Sequence, residues 1–277
     1  MKYFLYLLVS CDLLLIACSD KSINIFTLED DIAFGKQLDS MILSNPAEYP
    51  ILPRSSNLQA YQYLESMMNQ VLSSEEISNK DNFPWKVTII NSEIYNAFAA
   101  PGGKLYFYKG IMKYLDKSSQ LAGVMAHEIA HSDRRHSTKQ MSKAYGLNIL
   151  LGIVLGNNPS QLEQIVADLA SNAAILKFSR SDEYEADECS VRYLNETDKY
   201  NPIGIAGFFE KLKQDAYIDE NGNNSETNVF EFLSTHPSDE HRLENINDVW
   251  TGLGSPAGSL SESLDLSEYT AFKLLIP

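Results

Sequence analysis

The sequence predicts an α+β fold that is mainly helical, with one small antiparallel sheet. Three observations carry that expectation. Apolar residues recur at helical spacing through several long segments, as in "NLQAYQYLESMMNQVLSS" with Leu58, Tyr61, Leu64, Met68 and Leu72. One short region, residues 83–108, changes texture: β-branched and aromatic residues cluster there around a Pro101-Gly102-Gly103 turn. The 277 residues are 44% hydrophobic and 21% charged and show no fixed-period repeat, which suits one ordinary globular domain. A formal charge of -15 argues against nucleic acid as a partner, because phosphate binding needs basic side chains to displace counterions.

The chain opens with "MKYFLYLLVSCDLLLIAC": a positive charge at Lys2, an apolar run, then Leu15-Ile16-Ala17-Cys18. That ending resembles the lipobox of bacterial lipoproteins. The resemblance implies a signal peptide over residues 1–17 and a lipid on Cys18, so that the chain is held at a membrane by its N-terminus. The run is too short, and with Asp12 too polar, to be a comfortable membrane span. Residues 18–28 then read as a tether, 29–250 as the folded domain and 251–277 as a C-terminal tail without an assigned role. With Cys18 modified, Cys189 is left as a lone core thiol.

Within the domain, "LEDDIAFGKQLDSMILS" reads as a helix ending before Pro46, and the segment from Leu58 as a second. "FPWKVTIINS" reads as a strand, and "NAFAAPGGKLYFY" as two more joined at the turn. Helices resume at "DKSS", which offers N-cap choices for a helix running through Leu121 to about His136. The apolar segment 147–155 is too short to span a bilayer and reads as buried or as a cover over a cleft. "PSQLEQIVADLASNAAILKFSRSDEYEADECSVRYLNE" reads as one long or two abutting helices, "NPIGIAGFFEKLKQD" as another, "ENGNNSETN" as a polar loop and "DEHRLENINDVW" as a final helix.

Three of the chain's five histidines fall in "HEIAHSDRRH". His127 and His131, four residues apart on a helix, lie about 40° apart on one face and can reach a single ion. Glu128 projects from the same side, near enough to touch a water on that ion. His136 would point about 140–160° away if the helix continued, and is expected to be structural. A third ligand is needed, and two patterns compete for it. The extended H-E-x-x-H-x-x-G-x-x-H pattern fails, because Arg134 and Ser137 stand where it needs glycine and histidine. The other is a carboxylate from "SRSDEYEAD": Glu183 as ligand, with Asp187 one turn later to accept the second N–H of a ligand histidine. Glu185, about 200° around the helix from Glu183, is the weaker choice.

"HEIAH", "SRSDEYEAD" and "NAFAAPGG" together resemble metallopeptidase family M48, the zinc endopeptidases that include the HtpX and CAAX-prenyl-protease types. The resemblance runs from about Glu29 to Arg242 and points to members of the periplasmic lipoprotein type. It implies a zincin-like (gluzincin) fold and one Zn2+ per chain, with His127, His131 and Glu183 as ligands and Glu128 as general base. Zinc would lower the pKa of a water in the fourth position and polarise the scissile carbonyl. "STHPSDEHR" is similar to a His-Pro motif of the family at His236, Pro237 and Arg242. That match makes His236 either a donor to the oxyanion or an occupant of the fourth zinc position in a resting form. Asn96, Ala97, Phe98 and Ala99 would form an edge strand to which an extended substrate adds by backbone hydrogen bonds. The implied function is hydrolysis of unfolded or misassembled envelope polypeptides, in quality control at the periplasmic face of the outer membrane. The alternatives are a chaperone-like binding lipoprotein with a closed or little-used site, and a metal hydrolase of another substrate class. His241 is expected on the surface.

Overall fold

A computed structural model describes residues 24–143, 178–220, 236 and 240–277. The expected signal peptide, Cys18 and segment 147–155 lie outside the described residues, as do residues 159–177 of the expected long helical stretch and most of the expected polar loop after Glu220.

Helix α1 (Leu28–Ser44) opens with a capping box in which Thr27 and Asp30 satisfy each other's backbone N–H groups. Its apolar face, Phe34, Leu38 and Ile42, is buried. A single 3-10 turn (Arg54–Ser56) leads into α2 (Leu58–Leu72). There Tyr61, Leu64 and Met68 face the core as expected, whereas Leu58 at the first position is 48% exposed.

The sheet consists of β1 (Lys86–Ile90), β2 (Ala97–Ala100) and β3 (Lys104–Tyr108), in the order β1-β3-β2. β2 and β3 form the expected antiparallel hairpin through Pro101-Gly102-Gly103, where Gly102 and Gly103 have φ of 69° and 78°. β1 departs from the antiparallel expectation. Residues 91–96 carry the chain past β3, so β1 pairs with it in parallel and the sheet is mixed. The outer edge of β1 is covered by Pro50 and Leu52, whose backbones bond Asn91 and Ile89. Among the described residues β2 is therefore the remaining edge strand, and all four of its residues are buried.

Alternation along the strands divides the core. Val87, Ile89, Ala97, Ala99, Leu105 and Phe107 face a large cluster built with the helices that follow. Ile90, Phe98, Ala100, Tyr106 and Tyr108 face a smaller one with Phe34, Leu38 and Ile42 of α1. Covering both faces explains why these strands read as nearly continuous apolar runs.

After α3 (Lys109–Tyr114) comes the central helix α4 (Ser118–Asp133), every residue of which is buried from Leu121 to Asp133. α5 (Arg180–Thr197) and α6 (Gly204–Glu220) pack along it, and α7 (Glu240–Gly252) packs on α5. The C-terminal residues form α8 (Glu262–Lys273), which joins the main core: Tyr269 donates to the Met112 carbonyl at 2.6 Å, and Phe272 stacks on Tyr63 at 4.1 Å between ring centroids. Asp265 caps α4, accepting the Ser119 N–H at 2.8 Å, so the cap comes from α8 and not from the local serines. Among the described residues no helix is long and apolar enough to cross a membrane.

Candidate metal centre

Helix α4 brings His127 and His131 to one face, their Nε2 atoms 3.0 Å apart. α5 begins with Ser179 and Asp182 capping each other, which fixes where its first turn starts and delivers Glu183 opposite the histidines. Glu183 lies 3.5 Å from His127 Nε2 and 3.7 Å from His131 Nε2. A fourth group enters from the chain before α7. His236 Nδ1 is 3.1 Å from Glu183 Oε1 and 3.4 Å from His127 Nε2. One ligand atom from each of His127, His131, Glu183 and His236 lies within 4.8 Å of the others, and all four side chains are buried.

These spacings fit a cation. A tetrahedral zinc with bonds of about 2.0–2.1 Å has ligand atoms about 3.3–3.4 Å apart along each edge. The nitrogen and carboxylate donor set suits zinc, and two imidazole nitrogens converging in a dry interior need a proton or a cation between them.

The groups behind the cluster set its electrostatics. Asp187 Oδ1 is 2.9 Å from His127 Nδ1, where the one-turn spacing from Glu183 places it, and so leaves His127 Nε2 to face the cluster. Buried Arg242 lies across both carboxylates. It donates to the two Asp187 oxygens, each at 2.7 Å, and its NH1 lies 2.7 Å from Glu183 Oε2. Burial pushes the Glu183 carboxyl up, but His236 and Arg242 outweigh it and hold the group well below the usual carboxylate range. Burial and the neighbouring His127 charge hold His131 well below the usual imidazole range.

Glu128 stands beside this cluster. Among the described residues no hydrogen bond of ordinary geometry reaches either of its oxygens. The nearest donors are the Ala99 backbone N–H and the His236 ring, with Nε2 3.4 Å from Oε1. Burial raises its pKa, against the opposing pull of His236 and His127, which suits a group that takes up and releases a proton.

β2 runs past this carboxylate, and the structure divides its four candidate residues into two pairs. The Tyr108 N–H bonds the Asn96 carbonyl, so in this antiparallel register Asn96, Phe98 and Ala100 pair with β3. The backbone groups of Ala97 and Ala99 point to the other edge, where the Ala99 N–H faces Glu128. The Phe98 ring lies on the opposite face, stacked on Tyr106.

His136 is placed differently from its expected direction. α4 ends at Asp133, Arg134 and Arg135 form a turn with Arg135 left-handed (φ 61°), and the chain resumes as helix at His136, which is swung back behind His131, Nδ1 to Nδ1 at 2.9 Å. Glu185, set aside as a ligand, meets His136 Nε2 at 3.2 Å and is not in the cluster. Sequence reasoning also gave no role to Arg242. Its only local signal was membership of the His-Pro segment, although two buried carboxylates one turn apart do imply a counter-charge. Cys189 is buried as expected, accepting from Arg134 Nε at 3.2 Å, and His241 is exposed.

The chain's sequence likenesses agree with this arrangement. The model of "Peptidase family M48" matches residues 58–249. The beta-barrel assembly-enhancing protease of Escherichia coli (strain K12) is 30% identical over 191 residues, which is 66% of this chain and 37% of that protein. The mitochondrial metalloendopeptidase OMA1 of Schizosaccharomyces pombe is 26% identical over 188 residues, covering 67% of this chain and 52% of its relative. OMA1 of Saccharomyces cerevisiae is 30% identical over 169 residues, 60% of this chain and 47% of that protein. The chain thus spans between about a third and a half of the length of these relatives. A family model covering more than half of the chain, with the H-E-x-x-H helix and the Glu183 helix converging inside the matched region, establishes that this chain belongs to peptidase family M48.

Proposed function

We propose that this chain is a zinc-dependent endopeptidase, with His127, His131 and Glu183 as ligands and Glu128 as general base. The observation that carries the proposal is the convergence of two imidazoles and a carboxylate from separate helices beside a second carboxylate that no ordinary hydrogen bond engages among the described residues. Zinc bound there supplies Lewis acidity to a water molecule and to the scissile carbonyl. The protein's own groups do the rest. Asp187 orients His127, Arg242 holds Glu183 and Asp187 in place, and Glu128 accepts a proton from the attacking water and delivers it to the departing amine.

The backbone groups of Ala97 and Ala99 on the side that β3 leaves unpaired, buried beside Glu128 in this form, support substrate addition as an extended strand once the site opens, which presents the scissile bond beside Glu128. An unfolded polypeptide can offer such a strand; a folded protein has its strands already paired. This is the support for misassembled proteins as substrates. The envelope setting, the lipid anchor at Cys18 and the outer-membrane location are inferred from the lipobox-like Leu15–Cys18 segment and from the name of the beta-barrel assembly-enhancing relatives.

His236 lies where a fourth ligand belongs, and with the burial of every ligand this supports a resting form from which His236 must withdraw to admit substrate. The same burial favours the second reading, a chaperone-like protein whose site is rarely used. Glu128→Gln separates the two. On the enzyme reading it binds zinc as the parent does and loses casein hydrolysis by about 100-fold or more, as does chelated wild type. Undiminished hydrolysis in the variant sinks the proposal, and a chelator-insensitive activity does the same.

A further inference from the structure

His131 has a neighbour for each part of its ring. Nε2 faces the ligand cluster, 3.0 Å from His127 Nε2, and the ring face stacks on Phe178 at 3.9 Å between centroids. Its remaining nitrogen, Nδ1, meets Nδ1 of His136 at 2.9 Å, and His136 Nε2 in turn meets Glu185 Oε2 at 3.2 Å. Only one proton arrangement along this chain leaves a lone pair on His131 Nε2. His131 carries its proton on Nδ1 and donates it to His136 Nδ1; His136 then carries its own proton on Nε2 and donates to the Glu185 carboxylate. Each link has one donor and one acceptor, and the Glu185 end, a permanent acceptor, sets the direction of both bonds. His136 is itself fully buried, while the Glu185 side chain is 44% exposed, so the chain runs from the cluster to the surface.

We propose that His136 is a positioning residue for the metal centre: with Glu185 behind it, it fixes the tautomer and ring orientation of His131, as Asp187 does for His127. The inference rests on the metal-centre reading given above. The two ligand histidines are thus held by different means. His127 leans on a buried carboxylate that Arg242 also clasps, and His131 leans on an imidazole whose own carboxylate lies near water. The second arrangement places no further buried negative charge next to a cluster that already holds Glu128, Glu183 and Asp187.

The test measures metal affinity and metal geometry, neither of which depends on turnover. His136→Leu removes the acceptor at similar volume, and His136→Asn keeps a side-chain oxygen near the place of Nδ1. Glu185→Ala removes the outer end and leaves the core intact. Zinc affinity is read by competition with a chromophoric chelator, and geometry by the visible absorption of the cobalt-substituted protein. The expected result is a zinc Kd raised about 10- to 100-fold by His136→Leu, about threefold by Glu185→Ala, and less than about threefold by His136→Asn. The cobalt bands should shift in the leucine variant and overlay the parent's in the asparagine variant. Parental affinity and parental cobalt bands in His136→Leu, with metal lost in a His131→Ala control, would overturn the inference while leaving the metal centre standing. If the leucine variant does not fold, parental affinity in Glu185→Ala overturns it instead. Wild-type protein that takes up no zinc defeats the metal-centre reading itself, and this inference with it.

Discussion

The seating of α4 depends on a glycine contact that can be probed directly. α4 and α6 meet at Gly123, Gly204 and Ile205. A methyl group added at Gly123 would lie 2.3 Å from the Ile205 nitrogen and 2.7 Å from the Gly204 carbonyl carbon, where ordinary contact begins at 3.4 Å. Gly204 reciprocates, since a Cβ there would fall 1.9 Å from the Ser119 oxygen. Gly123→Ala therefore forces the helices apart by about 1 Å, and because the obstructing atoms are backbone no rotamer change relieves it. Overpacking of this kind costs about 3 kcal/mol at the upper end of its range, while alanine gains about 1 kcal/mol over glycine in a helix. The net is a loss of about 2 kcal/mol, or a fall in Tm of about 4–8 °C for a domain of this size. Gly207→Ala on the same α6 is the control. Its Cβ would approach only the Gln120 side chain, at 3.4 Å, so the helix gain dominates and Tm should hold or rise. The assay is thermal unfolding of the metal-free protein by circular dichroism. A Gly123→Ala variant that melts at or above the wild-type temperature would show that the helices do not approach so closely. That result would also remove the basis for the placement of His127, one turn further along α4.

Three further outcomes follow from the same geometry. Arg242→Leu leaves Glu183 and Asp187 buried without their shared counter-charge, so the metal-free protein should lose about 3–5 kcal/mol of stability in urea titration, and added zinc should raise Tm by more than it does in the parent. In the metal-free chain, burial works to lower the His127 pKa, but hydrogen bonds to Asp187 and Glu183 outweigh it and raise the group to about 9 from its ordinary 6.5. A raised imidazole pKa stabilises the fold fully below the unfolded value and loses that contribution as pH climbs through the folded one. The urea midpoint of metal-free protein should therefore fall between pH 6.5 and 9, and the fall should vanish in His127→Gln. Asp265→Ala removes the acceptor for the Ser119 N–H at the start of α4 and should cost about 1 kcal/mol in the same titration, whereas an unchanged midpoint would mean that water caps the helix equally well.

What was legible in the sequence depended on how far apart the interacting groups lie along the chain. His127 with His131, and Glu183 with Asp187, are each one helical turn apart, so their shared faces follow from helix geometry once a helix is granted. The hairpin around Gly102 and Gly103 was legible for a similar reason, since only a tight local turn needs two residues at positive φ. The parallel pairing of β1, the cap on α4 from Asp265 and the clasp of Arg242 on Asp187 were not, because each joins groups with no fixed spacing between them.

His136 lies between these cases and shows where local reasoning fails. Its expected direction assumed that α4 continues, and nothing in "SDRRHS" marks a stop: left-handed backbone is cued by glycine or asparagine, and Arg135 is neither. The conformation costs about 1–2 kcal/mol in a residue with a Cβ. The offset is tertiary. The Arg135 guanidinium clasps the buried Asp31 carboxylate and the carbonyls of Phe26 and Thr27, at the start of α1. Asn24 and Ile25 bond Thr138 and Ser142 just beyond it. The bend that aims His136 at His131 is thus held by residues 24–31, which among the described residues bond to none of His127, His131, Glu183 and His236. A reading that stops at the helix carrying the H-E-x-x-H motif has no access to that constraint.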